Sequence, residues 1–184
     1  MKKEKPDLRI RKTKRALYQA LEDLLKKKSL NQITVTELSA LAEINKGTFY
    51  LHYGDIYELY QDALSRHLKE IVERMDYMPL LFTNAEKFAD KLITTSLQEA
   101  IFQDDIFFKK ENIPFNQNAF VYFCNTLSEK ALACGEISNT PENRSKLMFL
   151  FSGTGTLLRY YDGTDTEIIK GILTSSIVAL FPPV

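Results

Sequence analysis

Lys46, Gly47, Thr48, Tyr50 and His52 fall within seven consecutive positions. The group is poor in what catalysis needs. The whole chain has two histidines, His52 and His67, and two cysteines, Cys124 and Cys134. It shows no glycine-rich phosphate loop and no cluster with metal-ligand spacing. The same group suits a polyanion well. Lys46 offers a charge to a phosphate or a donor to a base edge. Gly47 allows close backbone approach, and Thr48 can donate to a phosphate or touch a thymine methyl group. Tyr50 and His52 add polar tips for a nucleic-acid backbone. A helix starting at Asn45 would also present free amides to phosphate. The expected chemistry is binding of double-stranded DNA, with no enzymatic activity, cofactor or metal.

Such residues must be held by neighbouring elements. Thr34 is a candidate N-cap, with Glu37 placed to return the hydrogen bond in a capping box. The short helix it opens has Val35, Leu38, Leu41 and Ala42 as its inner face. About three residues later Asn45 caps a second helix, expected to run through about Tyr53. This is the spacing of a helix-turn-helix, whose second helix enters the major groove. Leu38, Leu41, Ile44, Phe49 and Tyr53 would lock the pair inward, leaving the polar group outside. Leu17, Ala20, Leu21, Leu24 and Leu25 mark the apolar face of a preceding helix, roughly 8–28. Gly54 and Asp55 introduce a long fourth helix reaching about Arg74. The competing reading is an ordinary helical hairpin with a polar outer face.

The stretch ITVTELSALAEINKGTFYLHYGDIYEL resembles the DNA-binding signature of the TetR family of bacterial transcriptional regulators. A Thr-rich helix start is followed by the turn Ala42-Glu43-Ile44-Asn45 and then Gly47-Thr48-Phe49-Tyr50-Leu51-His52-Tyr53. The resemblance covers about residues 8–68, and TFYLHYGD is similar to a branch that includes regulators of dihydroxyacetone-kinase operons. It implies an N-terminal three-helix helix-turn-helix domain over 8–68. Thr48, Tyr50 and His52 would be groove and phosphate contacts, with Lys46 and Gly47 near base edges. Thr34 and Thr36 would touch the backbone or an outer base, and Asn45 belongs to the same surface. Two positions depart from the pattern. Glu43 stands where the family has Gly, at a cost on the order of 1 kcal/mol if the backbone there is left-handed. Ile56 stands where the family often has Lys, so no phosphate contact is carried over to it.

Residues 69–184 show further helical patterns at about 85–103, 115–134, 141–161 and 165–180, with MPLLFTN (78–84) as a connection. The resemblance implies a helical ligand-binding and dimerisation domain over this range. In FLFSGTGTLLRYY, the residues Ser152, Gly153, Thr154, Gly155 and Thr156 are small. Each Gly costs a helix roughly 1 kcal/mol, so a packing reason is expected. The reading is a four-helix interface between two copies, built from 141–161 and 165–180. A tight crossing within one subunit is the alternative. Phe102, Phe120, Phe123, Phe149 and Tyr160 are candidate lining for a small-molecule pocket, with core packing as their competing use.

Composition sets the remaining bounds. No apolar run approaches the roughly 18–20 residues that span a bilayer. The basic N-terminus, MKKEKPDLRIRKTKR, precedes no apolar segment, so no signal peptide is expected. Cys124 and Cys134 lie ten apart in one predicted helix and cannot pair there, which suits a reduced cytoplasm. The net charge is zero, yet residues 1–54 carry 12 Lys/Arg against 6 Asp/Glu, and residues 76–184 carry 9 against 13. A basic front meets polyanions, and Arg11 and Lys12, crowded with Arg9, Lys14 and Arg15, are expected to do so. The sequence thus predicts an all-α, cytoplasmic, homodimeric repressor, released from a palindromic operator by a small-molecule effector. The alternative is a DNA-binding activator or co-regulator whose C-terminal domain docks a protein partner.

Overall fold

The computed structural model describes residues 8–98, 106–107, 112, 118–161 and 165–182, and their regular structure is helical throughout. The five apolar residues spaced along the first helix are all buried in α1 (Leu8–Leu25). A single apolar stripe therefore seats this helix on the core. A 3-10 turn (Leu30–Gln32) follows, then α2 (Val35–Leu41), α3 (Lys46–Tyr50) and α4 (Ile56–Arg74). After these come α5 (Leu80–Thr83), α6 (Ala85–Gln98), α7 (Ala119–Ala133), α8 (Pro141–Tyr160) and α9 (Thr166–Leu180). The all-α class holds. The connection expected at 78–84 contains the single-turn helix α5, which buries Leu81. Residues 99–103 and 115–117, expected to extend two helices, lie outside the described residues.

The chain divides into two compact units, Met1–Arg66 with Asp104–Gln117, and His67–Gln103 with Asn118–Val184. In the first unit, later chain satisfies polar groups of earlier helices. The Leu30 amide donates to Asn112 Oδ1 at 3.1 Å, and the Tyr60 hydroxyl donates to the Phe107 carbonyl at 2.7 Å. Asn112 is fully buried, where an unmet amide would be costly.

Local signals start and stop the short helices. Thr34 Oγ1 accepts from the Glu37 amide at 3.3 Å, the first half of the expected capping box. The second half is not made. The Glu37 carboxylate pairs instead with Lys28, tying α2 to the end of α1. A related arrangement forms at α4, where Asp55 accepts from the Glu58 amide (2.8 Å) and the Glu58 carboxylate reaches back one residue further to accept from the Gly54 amide (2.6 Å). At the end of α2 the Glu43 amide donates to Ala40 O (3.2 Å) and the Ile44 amide to Ser39 O (3.0 Å). This is a Schellman pattern, and Glu43 has the left-handed φ of 55° that the pattern requires.

The inner face of α2 differs from the expected one. Leu38, Ser39 and Ala42 are buried, Val35 is half-buried and Leu41 is exposed. At 100° per residue, Val35, Ser39 and Ala42 lie within a quarter turn or so of Leu38 on one side, and Leu41 lies 60° away on the other. Packing selected the side holding Ser39.

In the second unit α6 packs on α9, α7 on α8, and α8 on α9. Lys130 Nζ donates to the carbonyls of Val72 (2.7 Å) and Glu73 (2.8 Å), supplying partners at the C-terminal end of α4. The two glycines of α8 have different surroundings. A Cβ on Gly155 would lie 2.7 Å from Phe120 Cε2, whereas a Cβ on Gly153 would meet nothing within 4 Å. At Gly155 the close neighbour is a side chain of the same subunit.

Two substitutions test these points. Glu43→Gly is expected to stabilise the fold by about 0.5–1 kcal/mol in denaturant unfolding, because glycine adopts the left-handed region freely. Gly155→Ala should lower the unfolding midpoint although alanine is the better helix former, because the Phe120 ring must move.

Candidate nucleic-acid interface

The interface is built around a helix of five residues, too short to persist alone in water. Three attachments hold it. At its start, Asn45 Oδ1 accepts from the Thr48 amide at 2.7 Å and the Thr48 hydroxyl at 3.0 Å. In its middle the Phe49 ring is fully buried. Beyond its end the amides of His52 and Tyr53 donate to Phe49 O at 2.9 and 3.0 Å. The expected helix through Tyr53 is therefore shorter, closing at Tyr50 with Leu51 as its C-cap.

With Phe49 inward, the opposite side faces solvent. Lys46, Gly47 and Tyr50 are exposed, and Thr48 and His52 are half-buried. Tyr50 stands edge-on to Phe49, with centroids 5.3 Å apart, and is 57% exposed. Thr34, Thr36 and Asn45 are exposed on the same helix pair, and Arg11 and Lys12 are exposed early in α1. Asn45 is committed to capping through its carbonyl oxygen, so its amide NH₂ is the group left for an outside partner. A Cβ at Gly47 would come within 3.3 Å of that same oxygen.

One residue was passed over by the sequence reading. Leu51 is 82% exposed. It lies 200° around the helix from Phe49, on the side of Gly47. The rotation from the single anchoring aromatic would have found it.

A polar cluster sits behind this face. Asp62 Oδ2, on α4, accepts from Tyr53 Oη (2.7 Å), Tyr18 Oη (2.7 Å) and Lys14 Nζ (3.0 Å). Lys14, counted in the basic arm from sequence, is thus ion-paired, and its ammonium also lies 5.0 Å from the Tyr53 ring centroid. Burial pushes the Asp62 carboxyl up, but donation from Tyr53, Tyr18 and Lys14 outweighs it and holds the group below its ordinary value. Burial, reinforced by the Asp62 charge and hydrogen bonds, pushes the Tyr53 phenol far up. Ile56, at the position where no phosphate contact was expected, is buried.

The residues proposed as pocket lining are dispersed. Phe102 lies outside the described residues. Phe120 is half-buried beneath the Arg159 guanidinium, 4.0 Å from its ring centroid, and Phe123 is buried. Phe149 and Tyr160 are 70% and 79% exposed. Of the described four, Phe149 borders a groove of about 870 Å³ along α8 and α9, with Ser152, Gly153, Thr154, Thr156 and Ile172. Gly155 is turned away from it toward Phe120.

A pH test follows from the Asp62 cluster. A depressed folded-state pKa contributes stability that is complete above the unfolded value, about 3.9, and is lost as pH falls through the folded one. The difference in unfolding free energy between wild type and Asp62→Asn is therefore expected to be constant from about pH 5 to 8. It should narrow below about pH 4.

No protein-family model matches the chain. Over 75 residues it is 32% identical to YxbF, an HTH-type transcriptional regulator of Bacillus subtilis (strain 168). That match takes in 40% of this chain, which spans about a fifth (20%) of YxbF. Among solved structures, the dihydroxyacetone kinase operon activator DhaS superposes with a TM-score of 0.51 at 17% identity, covering 92% of this chain and 96% of DhaS. A tetR family transcription regulator from Shewanella sp. PV-4 gives a TM-score of 0.45 at 16% identity, covering 92% and 95%. The shared fold rests on the DhaS superposition. The 75-residue match is thus to an HTH-type transcriptional regulator, and the fold is shared with DhaS, an operon activator.

Proposed function

We propose that this protein is a homodimeric, sequence-specific DNA-binding regulator that represses from a palindromic operator and is released by a small-molecule effector. Residues 8–68 read the DNA, and residues 69–184 dimerise and hold the effector. One observation carries the reading: a five-residue helix anchored by buried Phe49 presents Lys46, Gly47, Tyr50 and Leu51 to solvent. Burying Phe49 while leaving Tyr50 and Leu51 in water makes sense when an outside surface covers them. A major groove supplies phosphates for Lys46, Thr34, Thr36, Arg11 and Lys12, and base edges and thymine methyls for the rest.

The α8–α9 face supports the dimer. Phe149 and Ile172 are exposed there, and Gly153 is open to close approach. Exposed apolar surface of this kind marks an interaction site. A dimer carries two α3 helices, and reading a palindrome requires them to reach half-sites about one DNA turn, ~34 Å, apart. An effector releases the operator only if it prefers a state with the wrong spacing, since equal affinity for both states shifts nothing. A second reading, favoured by the openness of the same groove to solvent, keeps the DNA contacts and seats a protein partner there in an activator or co-regulator.

Selection of bound duplexes from a random pool tests the reading. Wild type should enrich a palindrome, and Lys46→Ala/Tyr50→Ala should not. Phe149→Glu should halve the mass in sedimentation and weaken binding to the full palindrome at least tenfold. A folded, dimeric wild type that enriches no sequence removes operator reading. A monomeric wild type removes the dimer and favours the protein-partner reading.

A further inference from the structure

We propose that Asp62 is a positioning residue for sequence reading: one carboxylate oxygen of α4 sets the angle at which α3 is presented to DNA. The inference rests on the DNA-reading role proposed above and adds a residue that touches no DNA.

The geometry is specific. Three donors from two other segments, Lys14 and Tyr18 on α1 and Tyr53 after α3, converge on the single atom Asp62 Oδ2 within 3.0 Å. The two phenol oxygens are themselves 3.2 Å apart. Each phenol has one proton, so two phenols aimed at one point need a third group that accepts from both. A carboxylate oxygen does this, and its charge strengthens each bond. Without it, one phenol can donate to the other and the second loses its acceptor. Tyr53 is 3% exposed, so water reaches it poorly.

Tyr53 is also joined to the reading helix by its backbone. Its amide donates to Phe49 O at 3.0 Å, and the two rings lie 6.1 Å apart. The buried Phe49 ring fixes the depth of α3, and packing on α2 supports its near end. The Asn45 cap orders the start of α3 but bonds only within α3 itself. The Tyr53–Asp62 bond ties the far end of the segment to α4 and so sets the angle that the near-end contacts leave open. Base-edge contacts depend on angle far more than contacts to phosphates do, so the effect falls on specificity. Releasing Lys14 from its ion pair would add a free cation to α1, which strengthens binding to any duplex.

The test uses the full chain as wild type, Asp62→Asn, Asp62→Ala and Tyr53→Phe, with folding checked by circular dichroism. Affinities are measured for the selected duplex and for a scrambled duplex of equal length across a salt series. The ratio of the two affinities should fall about tenfold in Tyr53→Phe and Asp62→Ala. It should fall less in Asp62→Asn, whose amide oxygen still accepts. Scrambled-duplex binding should not weaken in any variant, and its salt slope should steepen by up to about one unit in Asp62→Ala. Parallel loss on both duplexes, or an unchanged ratio in folded Asp62→Asn and Tyr53→Phe, overturns the positioning role while leaving the DNA-reading role intact. A wild type with no preference for any duplex overturns both.

Discussion

A helix of one and a half turns cannot hold its shape in water, because helix nucleation is unfavourable until several bonds have formed. The candidate interface exists only because Phe49 is buried and the residues on either side are tied down. Everything presented to solvent by α3 inherits its position from that ring, from the Asn45 cap and from Tyr53. α1 is a long, stripe-driven helix that packs on α2, and α2 packs in turn on α3. The exposed face is therefore a consequence of the core beneath it.

Charge within the first unit has two distinct uses. Arg11 and Lys12 are exposed on α1 and available to a polyanion, while Lys14, one turn or less away, is held by Asp62. Lys28 similarly joins α1 to α2 through Glu37. A count of basic residues near the N-terminus overstates the field offered to DNA, because some of them are neutralised by the carboxylates that position the fold. The Asp62 carboxylate also keeps the Tyr18 and Tyr53 phenols in place by accepting from both.

In the second unit α8 serves two faces at once. Gly155 gives way to the Phe120 ring of α7, and roughly half a turn around the helix Gly153 and Phe149 face outward beside α9. A stripe of small residues thus faces two ways along a single helix, toward Phe120 and toward solvent. The aromatics of this unit divide in the same way, Phe123 into the core and Phe149 and Tyr160 into solvent.

Most of the helices were legible in the sequence, because apolar periodicity, caps at Thr34, Asn45 and Asp55, and the punctuation by Gly and Pro are local signals. The outward placement of Lys46, Gly47 and Tyr50 was legible for the same reason, once Phe49 was taken as the anchor. Tertiary structure alone decided the rest. It chose Ser39 over Leu41 for the interior of α2, since a two-turn helix has too few residues for periodicity to fix its rotation. It sent the Glu37 carboxylate to Lys28 instead of back along its own helix. It brought Lys14, Tyr18 and Tyr53 to one oxygen of Asp62, and Asn112 to Leu30, across sequence separations that no local pattern records. Residue type and spacing specify what a side chain can do, and only packing among distant segments specifies which partner it meets.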